Sequence, residues 1–178
     1  MWPFRKRANV VTSEEFAATV MELMRRSGRD FCAELQKEAE DMWPLDPNEI
    51  TVLGNESFVA YLWMASNALG PDKRILDSLH DGYFHSCYSS GATHEEGAAR
   101  ASTAQSELSA RYERYYKAWD SDLKTSGGLA LAFEMSQFFF PQRKPVLNAM
   151  LHFLIQTHVQ AFTVSLLSFR KQYELKDT

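Results

Sequence analysis

Residues 146–169 contain no Asp, Glu, Lys or Arg. A run of that length exceeds the ~20 residues that an α-helix needs to cross a bilayer. Asn148, His152, Gln156, Gln160 and Thr163 recur through it at spacings of three or four and fall on one helical stripe. A spanning helix would carry that stripe into hydrocarbon, where unpaired polar groups are costly. A helix in water turns it outward at no such cost. The run therefore predicts an amphipathic helix over 145–174, with Pro145 in its first turn. Its apolar side belongs in the middle of a fold, and no transmembrane segment is expected.

The rest of the chain is punctuated into five further segments, each with helical periodicity. The breaks are Pro44-Leu45-Asp46-Pro47, Gly70-Pro71, Ser89-Ser90-Gly91, Ser126-Gly127-Gly128 and Pro141 to Pro145. A first helix is predicted over 13–42, opened by Thr12 and Glu15 as a capping box. Phe16, Val20, Leu23, Met24, Phe31 and Leu35 share its apolar face. A second, over 47–69, has Asp46 as N-cap and Pro47 in the first turn. After Glu49 its only charge is Glu56, so it has no clean polar face and is expected to be central. The third spans 72–88. The fourth spans 94–125 behind a second capping box, Thr93 and Glu96, with Ala98, Ala101, Ala104, Leu108, Tyr112, Tyr115, Trp119 and Leu123 inward. The fifth spans 128–140. No segment shows sustained period-two alternation. The expected fold is all-α: a single-domain bundle of about six helices over 12–178, with helices 47–69 and 145–174 central. Residues 1–11 are expected to be a flexible basic and aromatic tail.

Charge and cysteine usage narrow the function classes. Nineteen basic and 23 acidic residues give a net charge of −4, and no recognition-helix pair is legible, so no nucleic-acid partner is expected. Residues 30–50 hold seven acids against Lys37, a pattern that reads as a solvated helix face. Trp2-Pro3-Phe4-Arg5-Lys6-Arg7 lacks the apolar run of a signal peptide, and peripheral membrane contact by residues 1–7 is not expected. Cys32 and Cys87 are the only cysteines and form neither a zinc pattern nor a redox pair. A reduced, cytoplasmic protein is the simplest expectation.

Two constellations are candidates for chemistry. Asp77, His80, Asp81 and His85 place two carboxylates and two imidazoles within nine residues, and Asp81 and His85 share a helix face. They are a candidate metal site, although no Glu-x-x-His occurs of the kind a di-iron bundle uses. His158 falls by helical angle among Leu147, Leu151, Leu154, Phe162, Leu166 and Phe169. It is expected to be buried and to need a hydrogen-bond partner. Ser165 lies near it on the same face and Glu134 could reach it from the fifth helix, so His158, Ser165 and Glu134 are candidate ligand-binding residues. The nucleophile-elbow, Walker, dinucleotide and H-E-x-x-H patterns are all missing, and no cofactor is expected. Aromatic residues reach 13% of the chain, more than a core of this size need absorb, and aromatics left outside favour protein contacts. The leading expectation is thus a non-enzymatic domain that binds a protein partner or itself, a homodimer included. The alternative is a helical small-molecule or metal-binding domain, possibly catalytic, that uses His158 or the Asp77/His80/Asp81/His85 group.

Overall fold

A computed structural model describes residues 9–40, 44–70, 72–125, 129–141 and 149–176. Six helices dominate it: α1 (Ser13–Glu40), α2 (Pro47–Leu69), α3 (Lys73–Ser89), α4 (His94–Thr125), α5 (Leu129–Phe139) and α6 (Ala149–Arg170). The all-α bundle expected from periodicity is what forms. The predicted end of the first helix at 42 and the predicted starts at 128 and 145 lie outside the described residues.

The helix ends are set by local chemistry. The Thr12 N–H donates to Glu15 Oε2 at 2.9 Å, and the Glu15 N–H to Thr12 Oγ1 at 3.1 Å. At α2 the Asp46 carboxylate accepts from Asn48 and Glu49, and Glu49 reaches back to the Asp46 N–H. At α4 the Thr93 hydroxyl accepts from Glu96, whose carboxylate accepts from the Ala92 N–H. Each box satisfies orphan donors of a first helical turn. Between α3 and α4 the chain reverses through a close backbone crossing. A Cβ on Gly91 would lie 2.4 Å from the Gly97 nitrogen, and one on Gly97 would lie 2.6 Å from the Tyr88 carbonyl oxygen. Only glycine fits at either position.

α2 runs through the centre and touches all five other helices. Every residue from Val59 to Ser66 is buried, including Tyr61, Leu62, Trp63 and Met64. Its one mid-helix charge, Glu56, is met by Arg111 of α4, whose Nε donates to Glu56 Oε2 at 2.6 Å. α1, α5 and α6 close the core on other sides with Phe16, Met24, Phe31, Met135, Phe139, Ile155 and Phe162.

Two short strands depart from the all-helical reading. β1 (Asn9–Val11) pairs in parallel with β2 (Tyr173–Leu175), with Asn9 opposite Tyr173 and Val11 opposite Leu175. Residues 9–11, read from sequence as part of a free tail, are tied to the other end of the chain. The sixth helix stops at Arg170 rather than 174. The Asn9 N–H donates to the Gln172 carbonyl, and the Lys176 N–H to the Val11 carbonyl, each at 2.9 Å. Tyr173 packs its ring edge on Phe16 at 5.4 Å, so the strand pair covers one end of the core.

α4 turns a slightly different face inward from the one expected. Gly97, Ala104, Leu108, Tyr115, Ala118 and Asp122 are buried, whereas Ala98 is exposed and Leu123 is 66% exposed. The Asp122 carboxylate explains the shift. It accepts from the Ala130 and Leu131 N–H groups at 2.9 Å each and so caps the first turn of α5.

Candidate functional site

His158 stands at the edge of α6, not in its buried face. Its side chain is 24% exposed. Nε2 meets Glu34 Oε2 of α1 at 2.6 Å, and the ring packs on Phe31 with centroids 4.7 Å apart. The expectation of a histidine enclosed by six apolar neighbours is corrected here. The buried face of α6 is Leu151, His152, Ile155, Val159, Phe162 and Leu166. Leu154 and Phe169 are only partly buried, and Leu147 lies outside the described residues. The observed face keeps Leu151, Phe162 and Leu166 of the expected one but is rotated from it by roughly 60°, at about 100° per residue, because a helix without charge fixes its rotation only loosely.

The residues proposed to join His158 do not do so. Ser165 is exposed. Glu134 is engaged by Arg114 of α4, whose Nε donates to Glu134 Oε2 at 2.8 Å. The partner that sequence reasoning missed is Glu34, which belongs to the acidic run beginning at Asp30. That run was the only available signal.

The histidine that does go inside is His152, which the polar stripe had placed in solvent. Its ring lies edge-on to Phe133 at 5.6 Å, and Nε2 is 3.3 Å from the Ser136 hydroxyl. Burial holds its pKa below the ordinary imidazole value. The pair is no nucleophile–base couple, because Ser136 donates to the Phe133 carbonyl at 2.7 Å and both side chains are buried.

The acidic–histidine group on α3 is split between two sides of its helix. Asp77, Asp81 and His85 are exposed. His80 turns toward α4, with Nδ1 2.8 Å from the Leu76 carbonyl and Nε2 3.1 Å from the Tyr112 hydroxyl. Both ring nitrogens are therefore occupied within the protein, which leaves no lone pair for an ion. Among the described residues no three His, Cys, Asp or Glu side chains gather in a way that could hold a metal. Tyr112, which sequence reasoning treated only as core, links His80 to the Ser66 hydroxyl at 3.3 Å, and burial pushes its phenol well above the usual range.

A groove of about 770 Å³ opens between α3 and α4 above α2. Phe58 and Tyr83 stack in its wall with centroids 5.9 Å apart, beside Cys87. Its cations each face an acid: Arg111 meets Glu56, Arg100 meets Glu96 and the Ser90 hydroxyl, and Arg25 of α1 lies 3.8 Å from Glu22. It offers no free charge to orient a substrate.

The surface that stands out is the outward side of α6. Phe153 is 62% exposed, Val164 63% and Leu167 41%. No helix among the described residues is long and apolar enough to cross a membrane. No family model, no curated protein and no solved structure matches the chain.

Proposed function

We propose that this chain is a non-enzymatic, cytoplasmic helical domain that works through protein–protein interaction, with the outward face of α6 as its contact surface. One observation carries the reading: Phe153, Val164 and Leu167 lie exposed on a helix with no charge from Ala149 to Phe169. Interface cores are depleted in charge and enriched in aromatic and aliphatic side chains, whereas ordinary solvated helices are not. The unpaired, half-buried Cys32 and Cys87 suit a reducing compartment.

The test compares wild type with a Phe153→Asp/Val164→Asp variant in two measurements. One is sedimentation velocity of the pure chain; the other is recovery of a stoichiometric partner on immobilised bait. Association of either kind is expected for wild type and should be lost in the variant. Helical circular dichroism should be unchanged, because both side chains are exposed. If wild type associates with nothing in either measurement, the reading fails.

A further inference from the structure

His80 of α3, Tyr112 of α4 and Ser66 of α2 form a chain of polar contacts that ends on both sides in a backbone carbonyl. His80 Nδ1 lies 2.8 Å from the Leu76 carbonyl oxygen, and Nε2 lies 3.1 Å from the Tyr112 hydroxyl. That hydroxyl lies 3.3 Å from Ser66 Oγ, which lies 2.8 Å from the Leu62 carbonyl oxygen. The chain has four contacts, and each needs one proton between its two heavy atoms. The carbonyls only accept. A neutral imidazole brings one N–H, the phenol one O–H and the serine one O–H. Three protons do not fill four contacts.

A doubly protonated ring completes the set. His80 then donates to Leu76 through Nδ1 and to Tyr112 through Nε2, Tyr112 donates to Ser66, and Ser66 donates to Leu62. With a neutral ring Nδ1 still donates to Leu76, so Tyr112 must donate to Nε2. Tyr112 and Ser66 are then left oxygen to oxygen, at the longest of the four contacts. Ser66 is buried, where an unfilled polar contact is costly. The phenol keeps its proton, because burial pushes it well above the usual range.

We propose that His80 is a proton-operated latch: uptake of a second proton by its ring closes the Tyr112–Ser66 contact and tightens the junction of α2, α3 and α4 as pH falls. The ring is half-buried at the edge of this junction, which gives it access to protons from solvent. The latch is independent of the contact surface on α6.

The other titratable groups of the junction are paired, neutral or exposed. α3 carries Asp77, Asp81 and His85 beside the ring, all exposed, and Tyr83 one turn beyond it. α4 brings Tyr112 with Tyr116 packed on it, and its Arg111 is bound to Glu56 of α2. α1, which also packs on α3, brings Arg25 near Tyr83 and 3.8 Å from Glu22. None of these charges is altered by the substitutions that test the latch.

Ser66→Ala distinguishes a latch from a merely structural contact. It deletes two of the four contacts. The two that remain need two protons, which a neutral ring and Tyr112 supply. A charged ring would instead leave the Tyr112 O–H without that acceptor. At about pH 6.5, nitrogen NMR of the full chain should show a ratio of doubly to singly protonated His80 about fivefold higher in wild type than in Ser66→Ala, the equivalent of one net hydrogen bond. Tyr112→Phe removes the link from α4. In urea it should raise the unfolding equilibrium constant about fivefold more at pH 5.5 than at pH 8. His152 is common to both chains and drops out of that difference. Equal ratios in wild type and Ser66→Ala overturn the proposal, whatever the stability of the variant. A Tyr112→Phe effect that is the same at both pH values overturns it also.

Discussion

α2 and α6 are built from similar material. α2 has one charge after its first turn, Glu56, and α6 has none before Arg170. α2 nevertheless disappears into the bundle along Val59–Ser66, while α6 buries one side and gives Phe153, Val164 and Leu167 to solvent. The difference lies in their neighbours. α2 is touched by every other helix, whereas among the described residues α6 packs chiefly on α1, α2 and α5. Low charge thus marks a helix that must be covered, and the neighbours decide whether its own chain does the covering. A helix left half-covered is where a partner is to be sought.

The largest effect that would break this contrast is in α2. Trp63 is buried and packs edge-on against Tyr115, Tyr116 and Trp119 at 5.5 to 6.2 Å. Trp63→Ala should lower stability by roughly 3–5 kcal/mol in urea denaturation. A loss below about 1 kcal/mol would show that α2 is not the packed centre.

Next comes the charge α2 does carry. Glu56 and Arg111 are mostly shielded from solvent and joined by two parallel hydrogen bonds. Removing one member leaves the other poorly solvated. Arg111→Met should cost about 3 kcal/mol, and the Glu56→Leu/Arg111→Met double variant should recover a large part of it. A double variant no better than the single one would mean that the pair is not what makes the charge tolerable in α2.

The end of α4 sharpens the same lesson at single-residue scale. Asp122 is buried and caps α5, while its neighbour Leu123 lies in solvent. Asp122→Ala should cost about 1–2 kcal/mol, and Leu123→Ala less than about 0.5 kcal/mol. Thermal melts that reversed this order would contradict the rotation of α4.

What the sequence made legible follows from where the determining interactions sit. The starts of α1, α2 and α4 are encoded within a few residues, in Thr12 with Glu15, Asp46 with Glu49 and Thr93 with Glu96; the first two pairs close reciprocally, and in the third Glu96 reaches past Thr93 to the Ala92 N–H. The burial of α2 is likewise written in its composition. The rotation of α6 was not legible, because a helix without charge offers hydropathy two faces of similar quality. His152 was therefore placed outside and His158 inside, whereas His152 is buried and His158 is half-buried at the edge of the helix. Asp122 is buried because the first turn of α5 needs an acceptor, a demand made by another helix. β1 and β2 are three residues each, too short for alternation to register, and pair across nearly the whole chain. The candidate sites failed for the same reason. Spacing put Asp77, His80, Asp81 and His85 near one another, but Tyr112 of α4 claims His80.

α6 also carries an expected pH dependence. Burial depresses the His152 pKa in the folded protein below its unfolded value of about 6.5. Between those two values the unfolded chain binds more protons, so this residue favours folding fully above pH ~6.5 and progressively less as pH falls toward the folded pKa. Unfolding free energies at pH 7.5 and 5.5 should therefore differ more for wild type than for His152→Gln. Equal differences would place His152 in solvent, as the polar stripe first suggested.

The smallest expected effect is the one that isolates the outer side of α6. Phe153 and Val164 are more exposed than buried, so truncating them removes little packing from the monomer. In dilute solution without a partner, Phe153→Ala and Val164→Ala should each shift stability by no more than about 0.5 kcal/mol. With the partner of the proposed contact surface in excess, the wild-type chain gains stability by mass action, because such a partner binds only the folded chain. The variants should gain less. Their difference from wild type should therefore grow with partner concentration, which no loss of internal packing can produce. Trp63→Ala provides the control, since its deficit belongs to the monomer and should stay nearly constant over the same range. A Val164→Ala deficit that is large when dilute and flat with concentration would mean that this side of α6 is packed within its own chain, and would remove the contrast with α2 at its source.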